Sequence, residues 1–407
     1  MEVADVRLTL DHCVKCNICT TACPVAAVTP LFPGPKYVGP QAERFRASEA
    51  ALSPDHSVDY CSGCGICTQV CPQNVKIAEI NTKARAQMVG GRLPLRNRLI
   101  ARPDLLGGLG TPLAPLANFT LRFGPARWIA ETILGLHRSA PLPPFAGRTF
   151  QGWAKRYSSP AAPRTVVYFH GCSTNYYEPQ LGELTVKVLE HNGVRVIIPP
   201  GQTCCGLPLQ SNGDFASARE AARRLIKLFL PYAGRGLDIV ATSTSCGLML
   251  KREYREILDL DTDEFRTVSE RMWDICEYLL HLHDEGALKT DFKPLNLTVP
   301  YHAPCQQKGH GIGKPALDLF ALIPGLRVVE MTAECCGIAG TYGLKKEKYP
   351  IAMDVGRRLF DDIQATRPDV AACDSETCRW QITHGTGVRA AHPVQLLAQA
   401  YGLMEGG

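Results

Sequence analysis

Residues 202–210 read QTCCGLPLQ, and residues 333–343 read AECCGIAGTYG. Each stretch sets two cysteines side by side ahead of a glycine: Cys204, Cys205 and Gly206, then Cys335, Cys336 and Gly337. Consecutive Cα atoms lie about 3.8 Å apart, whereas disulfide partners usually need roughly 4.4–6.8 Å, so a bridge within either pair would be strained. The pairs call for a different chemistry, and their surroundings supply it.

Working outward, the chain TVVYFHGC to Cys172, TCCG at Cys204 and Cys205, and TSTSCG at Cys246 is followed by a second pass. That pass runs LTVPYHAPC to Cys305, ECCG at Cys335 and Cys336, and DSETCRW at Cys378. Equivalent cysteines are 131 to 133 residues apart, which is the mark of a duplicated domain. Within each copy the cysteines follow β-branched runs such as RTVVYF, RVII and LDIVA, and helical stretches such as DFASAREAARRLIKLFL lie between them. This alternation predicts an α/β domain with a parallel sheet, whose loops bring strand-end thiols together. Four thiolates per copy match an iron-sulfur site, and the glycine after each pair is expected to let the backbone approach the cluster closely. The candidate ligands are Cys172, Cys204, Cys205 and Cys246, then Cys305, Cys335, Cys336 and Cys378.

A second repeat precedes these domains. CVKCNICTTACP and CSGCGICTQVCP both read C-x2-C-x2-C-x3-C-P, and each cysteine recurs 48 residues later. This is the run that holds cubane 4Fe-4S clusters, with the fourth cysteine serving the other cluster. One centre is expected on Cys13, Cys16, Cys19 and Cys71, the other on Cys61, Cys64, Cys67 and Cys23. Structural zinc accounts for a lone pair of cysteines, not for two complete runs with both prolines in place. The interval between the runs includes GPQAERFRASEAALS, which reads as helical and is longer than a compact hairpin needs.

Composition agrees. The chain has 407 residues, 45% hydrophobic and 20% charged, with 18 cysteines. It is long enough for several domains, and too rich in cysteine for burial alone to explain them. The start, MEVADVRLTLDHC, has no apolar leader, so reduced, metal-binding thiols in a cytoplasmic setting are expected rather than a secreted disulfide fold. The net charge of +5 is uneven: residues 92–164 hold eleven Arg or Lys against Asp104 and Glu131. Such a segment suits an anionic membrane surface, and motifs for nucleic acid are missing.

Within that segment, residues 105–121 are uncharged but contain three glycines and two prolines, too broken and short to span a bilayer. The following GPARWIAETILGLHR predicts an amphipathic helix, with Ala126, Ile129, Ile133 and Leu136 opposite Arg127, Glu131 and Arg138. It could lie on a membrane, or pack on a cysteine-rich domain or a partner protein. Cys276 reads as a small buried hydrophobe, and Cys373 as strand packing in preference to a displaced fifth ligand. His170 and His302, each two or three residues before the first cysteine of a copy, are candidates for hydrogen bonding to cluster sulfur or for simple structural bonding. GHGIGKPALDLF lacks a full nucleotide-binding glycine run, and no flavin fingerprint is found.

The duplicated pattern resembles the CCG cysteine-rich domain of heterodisulfide reductase B subunits and respiratory iron-sulfur subunits. It departs from that family in having Ser243 and Ser375 where a C-x-x-C ending would place a further cysteine, which favours a conventional 4Fe-4S centre over a five-cysteine, non-cubane one. With LFPGPKYVGPQAERFR, GTPLAPLAN, CCGIAGTYGLKKEKYP and ETCRWQI, the whole chain resembles the C subunits of anaerobic glycerol-3-phosphate dehydrogenases. The resemblance implies a multidomain α+β chain: a helical two-cluster 4Fe-4S ferredoxin domain (1–91), a basic amphipathic linker (92–164), and two α/β CCG domains (165–290 and 291–407). It also implies flavin-containing dehydrogenase subunits as electron donors, menaquinone as acceptor, and peripheral attachment at the cytoplasmic face of the cell membrane. Since iron-sulfur clusters carry single electrons, alcohol oxidation itself would occur on the partner's flavin. An iron-sulfur subunit of glycolate or lactate oxidation, or a heterodisulfide-reductase-like catalytic subunit, are the alternatives.

Overall fold

A computed structural model describes residues 6–46 and 56–404. The two copies of the cysteine pattern each build a four-stranded, all-parallel sheet. The first comprises β1 (Arg164–Phe169), β2 (Val194–Ile197), β3 (Asp238–Ala241) and β4 (Met272–Asp274), in the order β2-β1-β3-β4. The second comprises β5 (Thr298–Tyr301), β6 (Arg327–Glu330), β7 (Ala371–Ala372) and β8 (Ala390–Ala391), in the matching order β6-β5-β7-β8. Three of the four strands per copy follow the apolar runs named above. β4 and β8 are additional: β4 comes from the start of MWDICEYLLHLH, where Asp274 caps the helix Ile275–Asp284 with a capping box, so the strand ends where the helix starts.

In both sheets the chain winds outward from the first strand in one direction and then returns to its other side. That leaves a crevice at the carboxyl ends of the two central strands, where α/β sheets bind ligands. Val166, Tyr168 and Val240 of the first sheet and Val299, Tyr301 and Ala372 of the second contribute to one hydrophobic core, so the two cysteine-rich units are packed together. A second core lies on the other face of the first sheet, with Val167, Phe169 and Phe229, and a third on the second sheet, with Leu359 and Ile363.

The described residues before position 92 form short helical turns and the helix Ile77–Val89, with no strand among them. The helical reading of GPQAERFRASEAALS is met by the turn Tyr37–Gln41 as far as it can be followed, since residues 47–55 lie outside the described residues. Val25, Phe32, Val38 and Val58 pack with Tyr342, Ile351 and Ala352 of the second cysteine-rich unit. Between the two parts, residues 103–134 form three helices, Pro103–Gly110, Ala114–Arg122 and Gly124–Leu134. No helix among the described residues is long and apolar enough to cross a membrane.

Candidate metal centres

The two ferredoxin runs adopt the same backbone path. Lys15 and Asn17 in the first, and Gly63 and Gly65 in the second, have positive φ values, and each run then enters a one-turn helix, Ile18–Thr21 or Ile66–Gln69. Two left-handed residues in alternate positions curl the chain so that successive cysteines face a common centre; the first copy does so without glycine. Cys13, Cys16, Cys19 and Cys71 line one small cleft. Cys23, Cys61, Cys64 and Cys67 gather separately: Cys61, Cys64 and Cys23 each act electrostatically on the Cys67 thiol. The fourth cysteine of each run thus sits with the other run's first three. Around the second group, Ala26 donates its N–H to Cys23 Sγ at 3.5 Å and Asn81 donates Nδ2–H to Cys61 Sγ at 3.9 Å. Burial raises the Cys23 thiol to about 11, with Cys61 and Cys335 adding to the rise.

In the first cysteine-rich unit Cys172 follows β1, Cys204 and Cys205 follow β2, and Cys246 follows β3. Their side chains form a continuous series, Cys172 to Cys204 to Cys205 to Cys246. The second unit repeats it as Cys305, Cys335, Cys336 and Cys378, with Cys336 and Cys378 Sγ atoms 2.9 Å apart. The first and last cysteine of each unit stand in the first turns of helices, where the local backbone field favours a thiolate. Contact with the Cys204 thiol, then burial, raises Cys172 well above its ordinary range, and Cys305 is raised in the same way by Cys335. All eighteen cysteines are free thiols.

Gly206 and Gly337 bring the backbone up to the thiols and also serve the packing of a helix. Each N–H donates to the Sγ of the first cysteine in its pair, at 3.5 and 3.3 Å. A Cβ on either would point at a helix backbone: Ala218 O at 3.3 Å from Gly206, and Ala352 O at 1.9 Å from Gly337. The glycines therefore also let each pair lie against a helix, Phe215–Ala233 or Tyr349–Ala365.

The serines are not equivalent. Ser243 Oγ accepts the Cys246 N–H at 3.4 Å and donates to Glu376 Oε1 at 3.2 Å, beside Ser173 Oγ at 3.1 Å. It caps a helix and holds a carboxylate from the other unit. Ser375 makes no cap and lies 3.4 Å from Thr377 Oγ1. The histidines also diverge. His170 Nδ1 bonds Gly171 O at 2.7 Å and its Nε2 meets Gln151 at 3.3 Å, which is structural bonding. His302 lies within 4.8 Å of the Cys336 and Cys378 thiols and, after Cys336 and Cys373, helps to lower the Cys378 thiol below its ordinary range. Cys373, fully buried, also contacts Cys378, whereas Cys276 packs in the core beside Asp274 and Asp374.

Both cysteine-rich groups open into one cavity of about 430 Å³, which Cys64 also reaches. Cys64 acts electrostatically on Cys305, and Cys335 acts on Cys64, so the second ferredoxin group adjoins the second cysteine-rich group. Glu376 then bridges to the first cysteine-rich group, whose Cys204 N–H donates to Asp104 Oδ2 at 2.6 Å on the helix Pro103–Gly110. Four sulfur donors per group is the donor set that a 4Fe-4S cluster takes.

Comparison with known proteins matches this layout. Residues 9–75 fit the 4Fe-4S dicluster domain family, and residues 166–251 and 299–383 each fit the Cysteine-rich domain family. The chain is 41% identical over 397 residues to the C subunit of anaerobic glycerol-3-phosphate dehydrogenase from Escherichia coli strain K12, covering 96% of this chain and 98% of that one. It belongs to that family of C subunits. Other relatives match a smaller share of the chain. The B subunit of fumarate reductase (CoM/CoB) from Methanothermobacter marburgensis is 29% identical over 58% of this chain and 46% of its own length. Lactate utilization protein A 2 of Bacillus cereus strain AH820 is 29% identical over 44% and 74%. In keeping with both domain families, the chain is a 4Fe-4S protein.

The linker helices complete the layout of this glycerol-3-phosphate dehydrogenase family member. In Gly124–Leu134 the polar side faces the protein: Glu131 is buried and paired with Arg138, and Arg127 reaches the carbonyls of Leu121, Arg138 and Ala140. Ile129 and Ile133 face outward, 50% and 74% exposed. Leu136, expected on that face, lies beyond the helix end at Gly135, bridges to Lys345 and lines the cavity instead. Leu105, Leu109, Leu113, Leu116, Phe119 and Trp128 are also exposed. Of the placements that the sequence left open for this helix, packing of its apolar side on a cysteine-rich domain is not the one the structure has.

Proposed function

We propose that this chain is the iron-sulfur electron-transfer and membrane-docking subunit of an anaerobic glycerol-3-phosphate dehydrogenase complex. It passes electrons from a flavin-containing partner to menaquinone at the cytoplasmic face of the membrane. The observation that carries this reading is the adjacency of the cysteine groups. Cys61, Cys64, Cys67 and Cys23 adjoin Cys305, Cys335, Cys336 and Cys378; that group shares a cavity with Cys172, Cys204, Cys205 and Cys246, which are tied through Asp104 to the linker; and Cys13, Cys16, Cys19 and Cys71 line a separate cleft. A 4Fe-4S cluster on each group supplies one-electron transfer, and the serines at 243 and 375 favour the conventional cluster type in the last two. The domain limits proposed are 1–91, 92–164, 165–290 and 291–407.

The exposed side chains of residues 105–133 support attachment to a bilayer. Scattered single apolar residues are ordinary, but a run on three consecutive helices within a segment of strong positive charge suits the interface of an anionic membrane. The test is iron and acid-labile sulfide analysis of the anaerobically purified chain, with low-temperature EPR as its flavin-containing partners and glycerol 3-phosphate are added. About sixteen irons per chain, all in reducible cubane centres, is the expected result. About eight irons, or centres that stay oxidised with substrate and partners present, would overturn the reading.

A further inference from the structure

We propose that the cavity beside Cys172 and Cys204 binds the ring of an isoprenoid quinone, which enters past Leu106, Leu121, Leu136, Leu142 and Phe145, with Glu253 as the wall group that passes protons to it. The proposal rests on the quinone-reducing function above and adds the place where that reduction occurs.

The cavity wall is of mixed character. The cysteine groups contribute to that wall, and so do those five apolar side chains, all from the linker. An apolar shell beside a cysteine-held cluster limits solvent access and tunes its potential, but it does not need to run on into surface helices. A quinone, a flat ring with a long hydrocarbon tail, needs one that does. The same linker helices show a second apolar face to the outside, through Leu105, Leu109, Leu113, Leu116 and Phe119. Leu106 and Leu121, which wall the cavity, thus share two short helices with residues suited to a bilayer, which is the layout a lipid-soluble substrate requires.

The corridor is also built to hold its shape. Asn118 clamps residue 145 with two hydrogen bonds, accepting its N–H at 2.8 Å and donating to its carbonyl at 2.9 Å. Gly110 lets the helix lie directly on the Phe145 ring, since a Cβ there would be 2.5 Å from it, and Gly107 does the same against the Tyr176 ring at 2.2 Å. The cavity of about 430 Å³ is shared with the cysteine groups, so the ring is assigned to its linker side alone.

The reaction takes up two electrons and two protons: quinone, two electrons delivered singly from the cysteine-held centres, and two protons from water give the quinol. Glu253 lines the cavity, and its Oε2 accepts from Gln210 Nε2 at 2.6 Å. The charged groups facing it are Glu79 from the helix Ile77–Val89, with Arg252 and Glu256 beside it. Burial raises its carboxyl to about 7; the Gln210 hydrogen bond and Arg252 oppose this, and Glu79 and Glu256 add to it. The group therefore holds a proton below about pH 7 and loses it above, within reach of a proton-consuming reaction.

The test uses the full chain, purified anaerobically with its clusters and placed on phosphatidylglycerol-containing vesicles, and a photoreactive azido-naphthoquinone with a short isoprenoid tail. Saturable labelling within residues 100–145 is expected, falling at least about tenfold in Leu142→Arg while the cluster EPR spectrum is kept. Saturable labelling confined to other segments overturns the site but leaves quinone reduction standing; no saturable labelling anywhere overturns both. For Glu253, re-oxidation of the reduced chain by the same quinone, without illumination, is followed by iron-sulfur absorbance. The wild-type rate should fall as pH rises through about 7, and Glu253→Gln should lack that step. A step of unchanged position in the variant removes Glu253 from the proposal.

Discussion

A single residue shows where the two cysteine-rich copies part company. Gly206 and Gly337 have nearly the same backbone, φ of +90° and +88°, so a side chain at either is strained. Their surroundings differ: a Cβ would meet Ala218 O at 3.3 Å in the first copy, and Ala352 O at 1.9 Å in the second. The contact at Gly337 is backbone to backbone inside a long helix, which cannot yield without moving the Cys336 side of the pair. Gly206→Ala should therefore cost about 1–2 kcal/mol, the strain of the left-handed residue, and keep its metal. Gly337→Ala should cost several kcal/mol more, with loss of about a quarter of the bound iron, since one of four centres is affected. Thermal unfolding and iron analysis of both variants check this, and equal effects would refute the packing account. From sequence, the cysteine spacing was enough to group the sixteen thiols, because the spacing of C-x2-C runs and strand-end repeats is itself the geometry. The histidines were not separable. His170 and His302 occupy matched positions in the repeat, but Gly171 O and Gln151 take up the ring nitrogens of His170, whereas His302 faces thiols.

At the scale of elements, the helix Gly124–Leu134 illustrates how far periodicity carries. The spacing of apolar residues set the helix and its two faces; it could not say which face turns inward, since an apolar stripe ordinarily packs on a core. Here the inward side is polar, because Glu131 finds Arg138 and Arg127 finds three carbonyls, so burying that side leaves no charge unpaired. Strands β4 and β8 were illegible for a related reason. They have three and two residues, too few for alternation to register, and are fixed by pairing with their neighbours. The outward apolar face makes a sharp prediction. Ile129→Asp with Ile133→Asp removes exposed side chains, so stability should change by less than about 1 kcal/mol. Partition onto anionic vesicles, followed by co-sedimentation, should drop at least about tenfold, since two buried aliphatic side chains are each worth about 1.5–3 kcal/mol in an apolar phase. Unchanged partition would mean that these helices face something other than lipid.

The whole molecule depends on how its parts are joined, and this the sequence did not disclose. Repeats define each unit from within, but the adjacency of Cys64 to Cys305 and Cys335 arises from packing between units that are over 200 residues apart in the chain. The joint that creates it is built on lysine. Lys348, 1% exposed, reaches from the second cysteine-rich unit to the ferredoxin part, with Nζ 2.5 Å from Asp59 Oδ2 and 2.7 Å from Asp59 O. The ammonium also lies over the Tyr60 and Tyr342 rings, at 5.6 and 5.2 Å from their centres. Lys345 Nζ bonds Asn212 Oδ1 at 2.9 Å, and Arg85 reaches Ser211 O at 2.9 Å, so the first cysteine-rich unit is drawn into the same joint. Removing one partner of a buried pair leaves the other uncompensated, which costs about 3–5 kcal/mol when both are fully buried. The Asp59 side chain is 36% exposed and can recover some hydration, so Lys348→Met should cost nearer to about 2 kcal/mol. Pairing it with Asp59→Asn should return part of that loss, because the orphaned carboxylate is then gone. By contrast, Arg357→Ala, at an exposed pair with Asp354, should change stability by less than about 0.5 kcal/mol. Since the lost contacts lie between units and not within them, Lys348→Met should split the single melting transition into two, the ferredoxin part unfolding first. A variant that melts in one step, at the wild-type temperature, would show that the apolar contacts of Tyr342, Ile351 and Ala352 hold the joint without the lysine.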